Sequence, residues 1–197
     1  MGTRLGVMGG TFDPIHHGHL VTAEEALGQF ELDEVVFVPT GQPWMKTHQQ
    51  LSPAEDRYLM AVIATASNPR FSVSRLEIDR DGPTYTVDTL NALAEERPDA
   101  ELFFVTGADA ILEIFAWKDA DSALSMAHFI AATRPGYDLT RFERDAPTHD
   151  ARVSVIHIPA LSISSTDIRE RVREGRPTRY LVPEGVKSYI EKAGLYR

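Results

Sequence analysis

The sequence predicts an α/β protein built on an open, doubly wound and mostly parallel sheet. Two observations favour this fold class. Apolar runs rich in β-branched and aromatic residues recur between helical stretches, which is the alternation typical of a parallel α/β sheet. Several of these runs, such as VVFVP, LFFVTG and FIAAT, are apolar throughout, as strands buried on both faces are. Right-handed crossovers through the helices would join such strands.

Six runs are predicted as strands because they are short, apolar and separated by helical patterns. They lie at Arg4–Met8, Glu34–Pro39, Phe71–Val73, Glu101–Thr106, His128–Thr133 and Val153–Ile158. Two connections are predicted as irregular. Gly136–Asp150 is polar without periodicity, which indicates a surface excursion, and Thr40–Leu51 is a long loop of the kind that often carries function.

The predicted helices follow from apolar periodicity and from residues typical of helix ends. They lie at His19–Phe30, Ser52–Ala66, Thr86–Glu96, Ala110–Phe115, Ser165–Glu174 and Pro183–Ala193. In the second of them, Ser52 is predicted as N-cap, Pro53 as the first helical residue and Glu55 as the closing member of a capping box. Gly175 and Gly194 are predicted to stop the last two helices.

Length and composition limit the classes of function. The 197 residues predict one domain, 1–197, with the ISSTDIR helix and the final helix packed onto it. The chain has no cysteine, which excludes disulfides, thiolate zinc sites and thiol catalysis and fits a cytoplasmic protein. A net charge of −9 argues against nucleic-acid partners, and no apolar run approaches the roughly 20 residues that span a bilayer. Assembly into a homo-oligomer is left open.

The stretch GGTFDPIHHGHL follows the first predicted strand and runs into the first predicted helix. In doubly wound sheets, ligands bind beyond the carboxyl ends of the strands, where helices begin. Gly9 and Gly10 let the backbone approach a ligand, and His16 and His19, three residues apart, can face the same side. A metal site, an acid/base site and a phosphate cradle all remain open here. A metal would need a third ligand, for which Asp13 is the candidate.

Several further segments make a resemblance specific. GGTFDPIHHGHL resembles the signature of the H-x-G-H nucleotidyltransferase superfamily, and ISSTDIR, GADAILEIFAW, YTVDTL, RPG and YLVPEGVKSYIEKAGLY are similar to segments of bacterial nicotinate mononucleotide adenylyltransferases. Together these segments span nearly the whole chain. The resemblance implies a Rossmann-like nucleotidyltransferase fold and adenylyl transfer from ATP to nicotinate mononucleotide, giving deamido-NAD and pyrophosphate. Mg²⁺ is expected with ATP and would be bound mainly through substrate phosphates, and we name no metal ligands.

The residues agree with such a reaction. A phosphate monoester has a second pKa of about 6, so the nucleophile is already largely dianionic at pH 7 and needs no general base. The protein must instead hold two anionic phosphates in line and stabilise the charge that develops. We therefore predict a catalytic group of His16, His19, Lys46 and Arg169, and give His17 no role.

The resemblance also implies which residues contact each of the two substrates. Predicted to contact ATP are Gly9, Gly10, Thr11, Phe12, Gly107, Asp109, Arg134, Ser164, Ser165 and Thr166. Predicted to contact nicotinate mononucleotide are Asp13, Thr40, Thr86 and Trp117, the last by stacking on the pyridine ring. Ordinary roles compete at several positions: helix capping for Ser164 and Asp109, a core position for Trp117 and a structural turn for Arg134.

One segment departs from the pattern. The family often has P-P-H-K where this chain has Pro43, Trp44, Met45 and Lys46. Two bulky apolar residues thus replace proline and histidine, and we hypothesise that Trp44 and Met45 pack over the site as a lid. Rival functions are transfer to nicotinamide mononucleotide or phosphopantetheine, a catalytically idle nucleotide sensor, and a histidine-ligated metal hydrolase.

Overall fold

The computed structural model describes residues 2–43, 51–112, 117–133, 153–159 and 161–197, apart from the side chains of Asp109 and Leu112. The strands are β1 Arg4–Gly10, β2 Glu34–Pro39, β3 Gln42–Pro43, β4 Phe71–Val73, β5 Pro83–Thr84, β6 Glu101–Gly107, β7 Ala127–Thr133 and β8 Val153–His157. The helices are α1 His17–Gln29, α2 Ala54–Thr65, α3 Thr86–Glu96, α4 Ala108–Leu112, α5 Ala120–Met126, α6 Ser165–Arg173 and α7 Glu184–Ala193.

Six strands form one parallel sheet in the order β4-β2-β1-β6-β7-β8, and β3 pairs with β5 in a separate small sheet. In chain order this is 3-2-1-4-5-6, the order of a doubly wound fold, so the predicted fold class is confirmed. The order reverses between β1 and β6, which pair in register from Arg4 with Glu101 to Met8 with Val105. A cleft is therefore expected beyond the carboxyl ends of these two strands.

Helices cover both faces of the sheet over two buried apolar clusters. The first cluster joins Met8, Ile15 and Phe37 to Ile168 of α6 and Val186 of α7. These contacts pack the last two helices onto the body of the fold. The second cluster lies on the other face with α3 and α5 and contains, among others, Leu5, Val7, Leu90, Phe104 and Leu124. Because side chains alternate along β1, Val7 and Met8 enter different clusters.

All six predicted strands are present within one or two residues of their predicted ends. The prediction missed the short β3–β5 pair and α5. The capping prediction for α2 was wrong: the helix begins at Ala54 with Pro53 as N-cap, and no side chain caps it. Ser52 instead donates its backbone N–H to Asp13, and the Glu55 carboxylate pairs with Arg75 at 2.6 Å.

The other helix ends agree with the predictions more closely. The helix α1 starts at His17, two residues before the predicted start, with His16 as N-cap. Gly175 and Gly194 follow the ends of α6 and α7 with φ of 66° and 69°, which confirms them as helix stops. Within the described ranges, no helix is both long enough and apolar enough to cross a membrane.

Candidate active site

Two cavities open at the carboxyl ends of β1 and β6, where the strand order reverses. The first, which we call the serine cavity, has a volume of about 480 Å³. It is lined by Met8, His16, Gly18, His19, Thr22, Gly107, Ala108, Ala132, Thr133, Ile158, Leu161, Ile163, Ser164 and Ser165. The second, the tryptophan cavity, has a volume of about 340 Å³. It is lined by Gly9, Gly10, Thr11, His19, Thr40, Pro43, Glu77, Thr84, Tyr85, Thr86, Phe104, Thr106, Trp117 and Lys118.

Among the described residues, His19 is the one that lines both cavities. It lies in the first turn of α1, and Phe12 packs edge-on against its ring with the centroids 5.1 Å apart. Two ligands that occupy the two cavities would therefore meet at this imidazole.

The two predicted histidines form a stacked pair at the start of α1. Their ring centroids are 3.7 Å apart, and His16 is buried. The backbone N–H of His16 donates to Nδ1 of His19 at 3.2 Å. Since Nδ1 accepts this bond, the neutral His19 ring carries its proton on Nε2, which leaves Nε2–H as a hydrogen-bond donor. The local backbone thus fixes the tautomer of the residue that both cavities share.

Two glycines near the histidines are required by packing inside the protein. A Cβ on Gly18 would lie 2.9 Å from Nδ1 of His16, and a Cβ on Gly10 would lie 2.9 Å from the Phe12 ring. A side chain at either position would push on a buried ring. At Gly107 nothing lies within 4 Å of such a Cβ, and this residue borders the serine cavity.

The start of α6 forms one wall of the serine cavity, and its hydroxyl groups bond to the main chain. Ser164 is the N-cap, and its Oγ accepts a hydrogen bond from the backbone N–H of Asp167 at 3.1 Å. Ser165 donates its hydroxyl to the carbonyl of Pro14 at 2.9 Å. Recognition of an anion here would therefore rest on the backbone N–H groups of Ser165 and Thr166, which precede the capped Asp167 N–H in the first helical turn. Thr166 lines neither cavity.

Arg169 holds α6 against the loop that follows β1. Its Nη1 donates to the carbonyl of Asp13 at 2.8 Å, and Nη2 donates to Oγ1 of Thr166 at 3.3 Å. The guanidinium lines neither of the two cavities. The structure thus places Arg169 beside the predicted catalytic loop and gives it contacts within the protein.

Asp13 is buried, and its carboxylate also has partners within the protein. Oδ1 accepts from the hydroxyl of Tyr196 at 2.6 Å, and Oδ2 accepts from the backbone N–H of Ser52 at 3.2 Å. Burial raises the pKa of Tyr196, and the Asp13 charge raises this pKa further, so the hydroxyl stays a donor. Asp13 lines neither cavity, which distinguishes it from the other residues predicted to contact nicotinate mononucleotide.

Thr40, predicted to contact nicotinate mononucleotide, lines the tryptophan cavity, and so does Thr11, which was predicted to contact ATP. Both are held by a residue that the sequence did not reveal. Arg57 is 2% exposed and donates to the carbonyls of Thr11 at 2.9 Å and Thr40 at 2.6 Å. It also donates to the carbonyls of Gly41 at 3.2 Å and Ser52 at 3.0 Å. One guanidinium thus joins the loops after β1 and β2 to the start of α2.

Trp117 lies at the edge of an aromatic cluster and also faces the tryptophan cavity. Its ring centroid is 6.1 Å from that of Phe104 and 6.5 Å from that of Phe129. Packing and ligand contact are therefore compatible in this side chain. Thr86, the first residue of α3, lies on the same cavity wall.

Two ionisable residues of this cavity were missing from the sequence prediction. Glu77 is buried, accepts a 2.6 Å hydrogen bond from the hydroxyl of Thr89, and has its pKa raised by burial. Lys118 lies 3.2 Å from Asp88 and 4.7 Å from the centre of the Tyr85 ring. Neither residue lies in a segment with a strong motif. For Lys118, the one feature of the sequence that could have indicated a role in the site is that it follows Trp117.

Some predicted residues lie outside the described part of the chain. These are Lys46, Arg134, the proposed lid residues Trp44 and Met45, and the side chain of Asp109. His17, to which no role was given, lines neither cavity, and its backbone N–H donates to the carbonyl of Leu181 at 3.0 Å. Among the described residues, no three His, Cys, Asp or Glu side chains are grouped so that they could hold a metal ion.

Comparisons with known proteins identify the family of this chain. The cytidylyltransferase-like family matches residues 7–171. The chain is 60% identical over 201 residues to a probable nicotinate-nucleotide adenylyltransferase of Acidothermus cellulolyticus, which covers 98% of this chain and 94% of the relative. It is 62% identical over 190 residues to a protein of the same description from Streptomyces coelicolor, covering 96% and 99%.

Solved structures show the same fold. A Plasmodium falciparum nicotinic acid mononucleotide adenylyltransferase complexed with NaAD superposes with a TM-score of 0.77 at 23% identity, covering 98% of this chain and 97% of that one. The same enzyme complexed with APC gives a TM-score of 0.78 at 22% identity, with the same coverage. At this identity the likeness concerns the architecture.

Proposed function

This chain belongs to the cytidylyltransferase-like family and within it to the nicotinate-nucleotide adenylyltransferases, and we propose that the two cavities beside His19 hold its two substrates. The reaction transfers the adenylyl group of ATP to nicotinate mononucleotide and gives deamido-NAD and pyrophosphate in NAD biosynthesis. The observation that carries the proposal is that His19 lines both cavities. A transfer between two bound phosphates needs one point where they meet.

We assign ATP to the serine cavity. Its walls combine apolar side chains, such as Met8, Ile158 and Leu161, with the N–H groups that begin α6. The apolar walls suit a flat base, and a helix start suits phosphate. We keep Arg134 and Asp109 as proposed ATP contacts from the resemblance, and Lys46 as a proposed catalytic residue that neutralises phosphate.

We assign nicotinate mononucleotide to the tryptophan cavity. Trp117 offers a flat apolar surface to the pyridine ring, and Thr86 offers a hydroxyl and a backbone N–H at the start of α3. Gly9 and Gly10, which the resemblance assigned to ATP, line this cavity together with His19, and we propose instead that they border the acceptor phosphate. The assignment brings the nucleophile and the α-phosphate of ATP to the same imidazole.

The chemistry that follows is direct displacement at phosphorus. An oxygen of the acceptor phosphate bonds to the α-phosphorus of ATP, and the bond from that phosphorus to the oxygen of the β-phosphate breaks, releasing pyrophosphate. Nε2–H of His19 is placed to donate to the charge that develops on the α-phosphate. His16 supports it by stacking on its ring. No proton has to be removed from the nucleophile.

We propose that Mg²⁺ enters as the ATP complex and is held mainly by substrate phosphates and water. Mg²⁺ commonly binds in this way, through few protein groups. We also propose a cytoplasmic location, which the cysteine-free composition fits.

The acceptor is tested by incubating the purified chain with MgATP and nicotinate mononucleotide, nicotinamide mononucleotide or phosphopantetheine. We expect pyrophosphate release to be fastest with nicotinate mononucleotide, because Trp117 and Thr86 suit a pyridine ring. A preference for phosphopantetheine would overturn the assignment of the tryptophan cavity. ATP binding without pyrophosphate release from any acceptor would favour the nucleotide sensor instead.

The packing of Gly18 against His16 gives a test of the histidine pair. We expect Gly18→Ala to lower kcat/KM roughly ten- to a hundredfold, because the added methyl group pushes the His16 ring away from its stacked position. Gly28→Ala is the matched control, since it lies in the same helix and a Cβ there meets nothing within 4 Å. Steady-state kinetics of both variants check this, and equal activity in the two would contradict it.

A further inference from the structure

We propose that the ammonium group of Lys118 makes this enzyme prefer an acceptor whose pyridine ring carries a carboxylate over one whose ring carries a carboxamide. The inference rests on the proposed function, because it assumes that the tryptophan cavity holds the acceptor ring. It assigns to the Lys118 side chain a role in specificity that is separate from phosphate chemistry. Three features of the cavity support it: the position of the ammonium, the charges around it, and the helix that begins beside it.

Lys118 follows Trp117 in the chain, both residues line the tryptophan cavity, and the ammonium of Lys118 is held by two contacts. Its Nζ lies 3.2 Å and 3.4 Å from the two carboxylate oxygens of Asp88 and 4.7 Å from the centre of the Tyr85 ring. Lys118, Tyr85, Thr86 and Trp117 all line this cavity. A ring stacked on Trp117 would therefore present its substituent close to a cation held by two contacts.

The charges of the cavity make this cation important. Among the described residues that line the tryptophan cavity, Lys118 is the one lysine or arginine. The other ionisable side chains there are His19, which we assign to phosphate, the Tyr85 phenol, and Glu77, a buried acid. An anionic Glu77 would disfavour an anionic ring substituent, and the cation of Lys118 would offset this repulsion for the acid.

The start of α3 lies on the same wall. Tyr85 is its N-cap and Thr86 its first residue, so the first N–H groups of the helix lack helical partners. These groups can bind a carboxylate or a carboxamide oxygen, because both accept hydrogen bonds. Lys118 differs from them in adding a full positive charge, to which the two substituents respond differently.

The contact with Asp88 fixes the position of the Lys118 side chain but contributes little to the stability of the fold. The two side chains are 45% and 36% exposed, and ion pairs this open contribute little stability. The pair does restrict a long and flexible side chain, which lowers the entropy cost of using it in binding. A substrate carboxylate would then join a cation that is already held in place.

The test compares kcat/KM for nicotinate mononucleotide and nicotinamide mononucleotide at saturating MgATP. We expect Lys118→Met to lower the ratio of the two roughly five- to tenfold, through a higher KM for the acid, because one solvent-exposed charge contact is lost. Lys118→Arg keeps the charge and should restore most of the ratio. Lys187→Met, which removes an α7 lysine paired with Glu191, is the control and should leave the ratio unchanged.

Ionic strength provides a readout that a purely structural role would not change. Added salt should lower the acid-to-amide ratio of the wild-type chain and leave that of Lys118→Met nearly constant, since salt screens charges. Equal losses for both acceptors, or an unchanged ratio, would overturn the role of Lys118. If the wild-type chain turned over neither acceptor, the proposed function would be wrong. The role of Lys118 would then be tested by calorimetry, as the ratio of the affinities for the two mononucleotides in the wild-type chain and in Lys118→Met.

Discussion

Replacing His19 with alanine should lower kcat roughly a hundred- to a thousandfold while changing the affinity for ATP only modestly. Removal of a single donor aimed at the developing charge of a transition state typically has an effect of this size. His19 lines both substrate cavities, and because its Nδ1 accepts the His16 N–H, the neutral ring carries its donor proton on Nε2. The donor acts on charge that develops during transfer, so kcat changes more than binding does.

The His19 experiment has two informative controls. His17→Ala removes the neighbouring histidine, which lines neither cavity, and should leave kcat nearly unchanged. His19→Asn can keep an acceptor near the position of Nδ1 for the His16 N–H while it removes the Nε2 donor. We therefore expect His19→Asn to be as slow as His19→Ala. Kinetics together with calorimetric ATP titration measure both effects, and lost ATP binding at an unchanged rate would refute the assigned role.

The sheet and the histidine pair could be predicted from the sequence because their signals are local. The run VVFVP forms β2 with the predicted ends, and the spacing of His16 and His19 places both at the start of one helix. The cleft then follows from the strand order, since β1 and β6 lie side by side where that order reverses.

The supporting residues could not be predicted because their partners are distant in the chain. Arg57 looks like an ordinary charged residue of α2, yet its bonds reach Thr11 and Thr40, which lie 46 and 17 residues away. Lys118 likewise meets Asp88 across 30 residues. For Ser52 a local pattern was misleading. The sequence predicted it as a helix cap, but in the structure its backbone N–H donates to the distant Asp13.

The largest effect on stability is expected at Arg57. Arg57→Met should lower the free energy of unfolding by about 3–5 kcal/mol, the range seen when one partner of a buried charged network is removed. The variant would leave the carbonyls of Thr11, Thr40, Gly41 and Ser52 without their guanidinium donor. Unsatisfied buried polar groups are costly, and the methionine side chain offers no replacement donor.

The hydrogen bonds of Arg57 should also affect the kinetics of the acceptor. Thr11 and Thr40 line the tryptophan cavity, so Arg57→Met should raise KM for the acceptor more than it lowers kcat. Arg57→Lys keeps one cation but cannot reach carbonyls on several sides with a planar fork, so an intermediate loss is expected. Arg70→Met, which removes an arginine that is 52% exposed, should change stability by less than about 0.5 kcal/mol. Urea unfolding and acceptor kinetics measure these effects; a normal unfolding midpoint with a normal acceptor KM in Arg57→Met would show that the loops hold their shape without it.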